Sequence, residues 1–336
     1  MKIYLFLLSV VSMTSLTGMF DGEGPVVKTF HPHAGNSVEQ VALSNSDLYT
    51  RSSRSVKYHP LVGAGDVSIA RVLGAMYPTA MSLSSEAPIL HVGTQEGVVQ
   101  EFAKGIEDAP INTRRLFDSP ITSMATQGAE HLMRLYAASG KKIKVVDLAK
   151  MEEMRSLELQ VEEPVRGLYA NNSNVLVVRG KNTVYAFERD KTKPEGIHRF
   201  AQEVVAVTCT KFDGQTLLVA TKDGTLTQLN YSNKSDVRNK IAGRLLAGEA
   251  SQVRDRIMSI SDDGLIVVED GTDDSSSVTS YGIMDETNPG VGQSISHRAR
   301  SLSYDVVRGE RVGVIGGDRG QVSLVKIIDE DRAAGG

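Results

Sequence analysis

Residues able to do chemistry are present, but nowhere in a complete set. His31-Pro32-His33 has the spacing of a ligand pair, yet a closed metal site needs three or four converging groups. It reads as a solvated turn. The acidic string Glu269-Asp270-Gly271-Thr272-Asp273-Asp274 lacks the alternating ligands and distal bidentate Glu of a calcium loop. It reads as a solvated hairpin end. After Gly63-Ala64-Gly65, Ser68 stands where a dinucleotide fingerprint needs its third glycine. There is no P-loop and no Gly-x-Ser-x-Gly elbow. Cys209 is the single cysteine, which excludes an intrachain disulfide and a Cys-rich zinc site. Its apolar run, Val204–Thr208, makes it a buried and inert thiol. No cofactor, metal or catalytic residue is therefore expected.

With 40% hydrophobic and 23% charged residues in 336, the chain can bury a sizeable core. Disorder and multiple membrane spans are excluded on that balance. A net charge of −4 gives no global pull toward nucleic acid or an anionic surface. The 31 glycines against 10 prolines point to many tight turns.

The first residues stand apart from the rest. Lys2 precedes the apolar run Ile3–Val11, and small and polar residues follow through Gly18. That is the layout of a secretory signal peptide over residues 1–18. An uncleaved anchor helix and a buried first strand are the competing readings, and membrane attachment follows only from the anchor. Export to an extracellular or periplasmic compartment is expected otherwise.

Six stretches repeat one pattern of apolar run, tight turn, apolar run: Leu90–Phe102, Leu135–Leu148, Val175–Glu188, Leu217–Tyr231, Ile257–Asp270 and Val312–Ile327. Leu48–Leu61 is a weaker seventh. Aligned on the second run they give Val56, Val99, Ile143, Val184, Leu226, Ile266 and Val322, a period near 42 with one interval of 56. Two positions earlier stand Arg54, Gly97, Lys141, Asn182, Gly224, Gly264 and Gly320, mostly residues that tolerate a two-residue hairpin turn. A β-prone stretch precedes each unit, such as Val38–Leu43, Val204–Cys209 and Leu245–Ala247, and outer strands show at Glu153–Leu159 and Ser277–Ile283. Amphipathic crossover helices are missing between units, so a parallel α/β sheet is excluded. The expected fold is all-β: a seven-bladed β-propeller over residues 37–328, four antiparallel strands per blade. Residues 19–36 hold a linker and Val26–Phe30, which supplies the last blade's missing outer strand and closes the ring. Residues 329–336 form a disordered tail.

Ser139-Gly140-Lys141-Lys142-Ile143-Lys144-Val145-Val146-Asp147-Leu148 is similar to the closing strand of the WD-repeat propeller family, with valine where tryptophan is usual. Thr183–Glu188 and Thr225–Leu229 are looser versions. The resemblance implies a non-enzymatic scaffold that binds a protein partner as a monomer within a larger complex. It also implies that second-to-third-strand turns and blade-to-blade connections share one face. On that face the sequence places Arg51, Arg54, Lys141, Lys142, Arg179 and Lys181, with Asp262 and Asp263 on the far side. The long interval puts an insertion holding Asp285 and Glu286 between the sixth and seventh blades. Solvated turns chosen for solubility are the plain alternative. So is a propeller enzyme or small-ligand binder using the channel residues Glu39, Gln40, Ser82, Thr122, Ser123, Arg166, Glu203 and Ser301.

The mature chain is expected to begin near Gly18 or Met19. Intact mass of protein from its native compartment checks this, and a retained Met1 on a cytosolic protein excludes export.

Overall fold

Apolar runs joined by tight turns pair as antiparallel hairpins, and successive hairpins join into meanders. The computed structural model describes most of residues 27–327; the longer stretches outside the described residues are 1–26, 241–255, 282–292 and 328–336. The described strands pair into separate antiparallel sheets. The first holds Gln40–Ser44, Asp47–Arg51 and Val56–Val62, with Asp66–Val67 and Arg71–Leu73 both on its third strand. Then come Pro78–Leu83, Ile89–Thr94, Val98–Ala103 and Asn112–Arg115. A third sheet joins Ser123–Gln127, Arg134–Ser139 and Lys142–Asp147, and Glu152–Glu153 and Leu159–Gln160 share its outer edge. Gly167–Ala170, Val175–Arg179, Thr183–Glu188 and Gly196–Arg199 form the next, followed by Val204–Cys209, Thr216–Thr221, Leu226–Asn230 and Asn239–Lys240. Arg256–Ile260, Leu265–Asp270, Ser276–Tyr281 and Gln293–Ile295 make one more. In the last, Ala299–Val307, Glu310–Gly317 and Val322–Ile327 are completed by Val27–Phe30, in register Val27 to Val325 and Phe30 to Val322. The chain ends meet inside one sheet.

Side chains alternate across a strand, and here both faces are apolar because each sheet packs between two others. In the fourth sheet Leu176, Val178, Tyr185 and Phe187 meet Tyr136, Ile143 and Val145 of the third. Val175, Val177, Val184 and Ala186 meet Val207, Leu217 and Val219 of the fifth. Burying one such Val or Leu is worth about 1.5–3 kcal/mol, so these stacked faces hold the sheets together. First strands lie side by side in chain order, and Ala299–Val307 lies against Gln40–Ser44. Four-stranded antiparallel blades in this arrangement are a propeller.

The aligned turn position has a structural reason. The carbonyl of Gly97 accepts from Leu116 and Phe117, that of Lys141 from Val161, that of Asn182 from Phe200 and that of Gly320 from His33. In each case the chain leaving the fourth strand is fastened to the turn between strands two and three. At Gly97 the approach excludes a side chain: φ is +77° and an added Cβ would sit 2.1 Å from the Phe117 carbonyl oxygen.

Three expectations need correction. Ile257–Asp270 covers the first and second strands of its sheet, not the second and third, and Ser276–Tyr281 is the third strand, not the outer one. The hairpin signal Asp263-Gly264 is real, but a meander uses the same turn chemistry between any two strands. With the register moved, the long interval no longer marks an insertion between blades. The stretch holding Asp285 and Glu286 joins the third and fourth strands of that one sheet, and Leu245–Ala247 lies outside the described residues. Second, Glu153–Leu159 is not one strand but two short pieces. Third, His33 is buried at 3% exposure, whereas His31 is exposed as a solvated turn requires.

Gly140 has φ +59° with open space around its Cβ position. Gly140→Ala should therefore cost about 1 kcal/mol of backbone strain, and Gly97→Ala clearly more, because the Phe117 peptide must also move. Urea unfolding of the two variants checks the order.

Candidate protein-docking face

The residues at the start of the inner strands are small, apolar and repeated in role. Val38, Ile121, Val165 and Val204 are all buried to 3% exposure or less. Their N–H groups donate to the preceding blade, at Gly317, Thr94, Gly140 and Lys181. Their carbonyls accept from side chains of the same preceding blade. Ser301 Oγ reaches Val38 at 2.8 Å, Thr79 Oγ1 reaches Ile121 at 2.6 Å, Thr122 Oγ1 reaches Val165 at 3.4 Å and Arg179 Nη1 reaches Val204 at 2.8 Å. Pro78, which has no N–H to donate, keeps the other half of the pattern and accepts from Arg51 Nη1 at 3.1 Å.

This fixes what the channel residues do. Arg51 Nη1 also donates to Glu39 Oε2 at 2.7 Å, and its Nε donates to Gln40 Oε1 at 3.3 Å. The Arg51 side chain is 8% exposed against 43% for Glu39. Burial lowers the Arg51 guanidinium from its usual value, and Glu39 works against that fall. Arg166 pairs with Glu203 across the next junction but two, and Arg179 Nη2 donates to the Arg166 carbonyl at 3.0 Å. Gln40 Nε2 donates to the Met81 carbonyl at 2.7 Å, Ser82 meets Thr126 at 2.9 Å, and Ser123 Oγ accepts from Leu168 N at 2.9 Å. The groups expected to line the channel are spent on bonds between sheets.

Of the basic residues assigned to docking, Arg54, Lys141, Lys142 and Lys181 are exposed at turns between second and third strands. Lys142 Nζ lies 3.6 Å from Glu158 Oε1. Arg51 and Arg179 each end a second strand, one to three residues short of its turn, and bond the junction carbonyls of Pro78 and Val204; Arg51 is buried and Arg179 half-buried. Asp262 and Asp263 lie outside the described residues, as do Asp285 and Glu286. In sequence the first pair falls between Arg256–Ile260 and Leu265–Asp270, the first and second strands of their sheet rather than the second and third. The second pair falls between the third and fourth strands of the same sheet.

Glu163 was not singled out from sequence. Its carboxylate accepts from Lys181 N at 2.7 Å, Asn182 N at 3.2 Å and Thr183 Oγ1 at 2.8 Å. Burial raises its pKa, but these three bonds outweigh that and hold it below the usual carboxylate range. The Lys181 turn is thereby held rigid and its ammonium pointed outward. A glutamate seventeen or more residues from the turn it caps leaves no local signal.

Four-stranded antiparallel blades, stitched at the inner strand and turning a common set of hairpins outward, define the class as a β-propeller. No family model and no curated protein matches the chain. Among solved structures it is similar to the RRP9 WD40 repeats, with TM-score 0.70 and 13% identity over 90% of this chain and 97% of that one. It is also similar to U3-55K, with TM-score 0.66 and 12% identity over 89% and 98%. The WD40 β-propeller domain of Doa1 gives TM-score 0.65 and 13% identity over 90% and 97%. The fold is that of the WD40-like propellers.

Arg51→Ala removes hydrogen bonds to a carboxylate and to a buried carbonyl, worth about 2–3 kcal/mol together. Arg54→Ala, three residues on, should stay within about 0.5 kcal/mol of the parent. Chemical denaturation of both variants separates junction from docking face.

Proposed function

We propose that the protein is a non-enzymatic, seven-bladed scaffold that docks a protein partner on its turn face and is exported by way of residues 1–18. The blade count is supported by the separate sheets and by the first strands lying side by side back to Gln40–Ser44. The sheet running from Arg256 to Ile295 enters that count on backbone pairing alone. WD40 propellers are a protein-interaction kind of fold, and docking is the use this surface serves best.

One observation carries the reading: polar residues divide cleanly by role. Those at the channel mouth, Glu39 with Arg51 and Arg166 with Glu203, neutralise one another. Those at the turn tips, Arg54, Lys141, Lys142 and Lys181, face solvent on turns bonded to the chain around them, by Ser52 at Arg54, by the Val161 N–H at Lys141 and by Glu163 at Lys181. A catalytic channel needs the reverse, free groups converging inside. Rigid, exposed charges raise association rate and fix orientation more than they raise affinity.

Replacing Lys141, Lys142 and Lys181 by glutamate should leave the melting temperature nearly unchanged, since exposed charges contribute below about 0.5 kcal/mol each. The same variant should slow association with the partner that co-purifies with the full chain, most at low salt. Equal binding by variant and parent at low salt moves the docking surface off this face.

A further inference from the structure

We propose that His33 and His59 make the ring closure acid-sensitive, so that acid frees the N-terminal strand from the last sheet while the other sheets stay folded. Beyond the four paired residues Val27–Phe30, the chain is fastened at His33. His33 Nε2 lies 2.9 Å from Thr50 Oγ1, and His59 Nε2 lies 3.0 Å from the same oxygen. Both ring nitrogens thus meet on one hydroxyl, which has a single hydrogen to give and two lone pairs to accept with. Ser55 Oγ lies 3.3 Å from His33 Nδ1, and Phe30 stands edge-on to the His59 ring at 5.3 Å. On its other side, His33 N donates to the Gly320 carbonyl, and an added Cβ on Gly320 would sit 1.7 Å from the His33 carbonyl oxygen. One residue thus holds the first sheet, the last sheet and the closing strand together.

The charges facing the pair disfavour a second proton. Lys57, on the third strand, donates Nζ to the Pro32 carbonyl beside His33, and Arg51 lies on the second strand. From the last sheet, the turn of Asp318 and Arg319 approaches through Ser37, whose Oγ donates to the Asp318 carbonyl at 3.0 Å. His297 reaches the closing strand through Ser323, whose hydroxyl also meets Thr29 Oγ1 at 2.7 Å. Burial, then Lys57 and Arg51, hold His33 down to about 4; burial, then His33 and Lys57, hold His59 down to about 3. Once the segment is released, His33 regains its ordinary value of 6.5, and His59, which stays in its strand beside Lys57, loses the cover of Phe30 and His33 and rises toward it. The open form therefore takes up protons that the closed form refuses. Closure is at full strength above about pH 6.5 and weakens as pH falls toward 4 and 3.

Between about pH 7 and pH 5 His33 shifts the equilibrium toward opening by about 20-fold, and His59 adds to it as far as opening uncovers its ring. Hydrogen exchange of the full chain, corrected for the intrinsic pH dependence of exchange, reads this directly. Amides of 27–36 and of Val322–Ile327 should lose protection by about 20-fold or more over that interval, while those of Val175–Glu188 keep theirs. In His33→Gln/His59→Gln, which keeps neutral hydrogen-bonding groups, the response should shrink to a few-fold. Should the double variant fail to fold, His33→Gln alone should remove about 20-fold of the response. An undiminished response in either variant overturns the proposal, and so does loss of protection in all sheets together.

Discussion

The structure depends on a pair of peptide groups at the start of the inner strand, repeated in four of the described blades. Val38, Ile121, Val165 and Val204 bury their side chains while the two peptides flanking each are bonded to the preceding blade, one by its N–H and the other by its carbonyl. Buried peptide groups left unpaired are costly, and an inner strand at a channel has a neighbour only on one side. The preceding blade supplies the missing partners, with its backbone for the N–H and with a Ser, Thr or Arg side chain for the carbonyl. Apolar faces alone would let adjacent sheets slide. These directed bonds fix the angle and register at which the faces meet.

That constraint explains which parts of the fold could be read from the sequence. A sheet packed on both faces must be apolar at every position, so second and third strands such as Val175–Arg179 and Thr183–Glu188 appear as continuous apolar runs. Their spacing repeats because each blade needs the same lengths to reach the next junction. Outer strands lie at the rim, where one face is half wet, and their pattern fades: Asn112–Arg115 alternates half-buried with exposed residues and contains no apolar residue. In the sheet beginning at Arg256 the first and second strands are as apolar as second and third strands elsewhere. The pattern was visible there, but its phase was not, since nothing in a hairpin states which pair of strands it joins.

The candidate site was legible to the same degree and failed for a related reason. Arg51 and Arg54 are three residues apart, both basic, both near one turn. Arg51 is within the strand, inside the reach of Glu39 and Pro78, and is buried; Arg54 is past the strand end and is exposed. Arg179 and Lys181 repeat the contrast two residues apart. Residue type gives the charge, but the direction of the side chain is set by where the strand stops, and strand ends are the least determined feature of a sequence. Lys141, Lys142 and Lys181 are exposed near turns that a glycine, Gly140 or Gly180, marks in the sequence.

Closure is where the ring differs from itself. Every other junction joins segments near in sequence, whereas Thr29 and Ser323 stand 294 residues apart. Such a contact carries a large loop-closure cost and forms after the blades between its ends are in place. Among the described side chains of the closing strand, Phe30 packs on the neighbouring apolar cluster, and polar fasteners stand beside it, Thr29 on Ser323 and His33 on Thr50. A polar fastener responds to proton concentration where an apolar face does not. The turns of Lys141 and Lys181 are anchored in the third and fourth sheets, which pack on each other through their own cluster and share none of its residues with the seam. A loosened seam would therefore leave the frame of those two turns intact, whereas the turn of Arg54 is tied to the seam, since Ser55 beside it bonds His33.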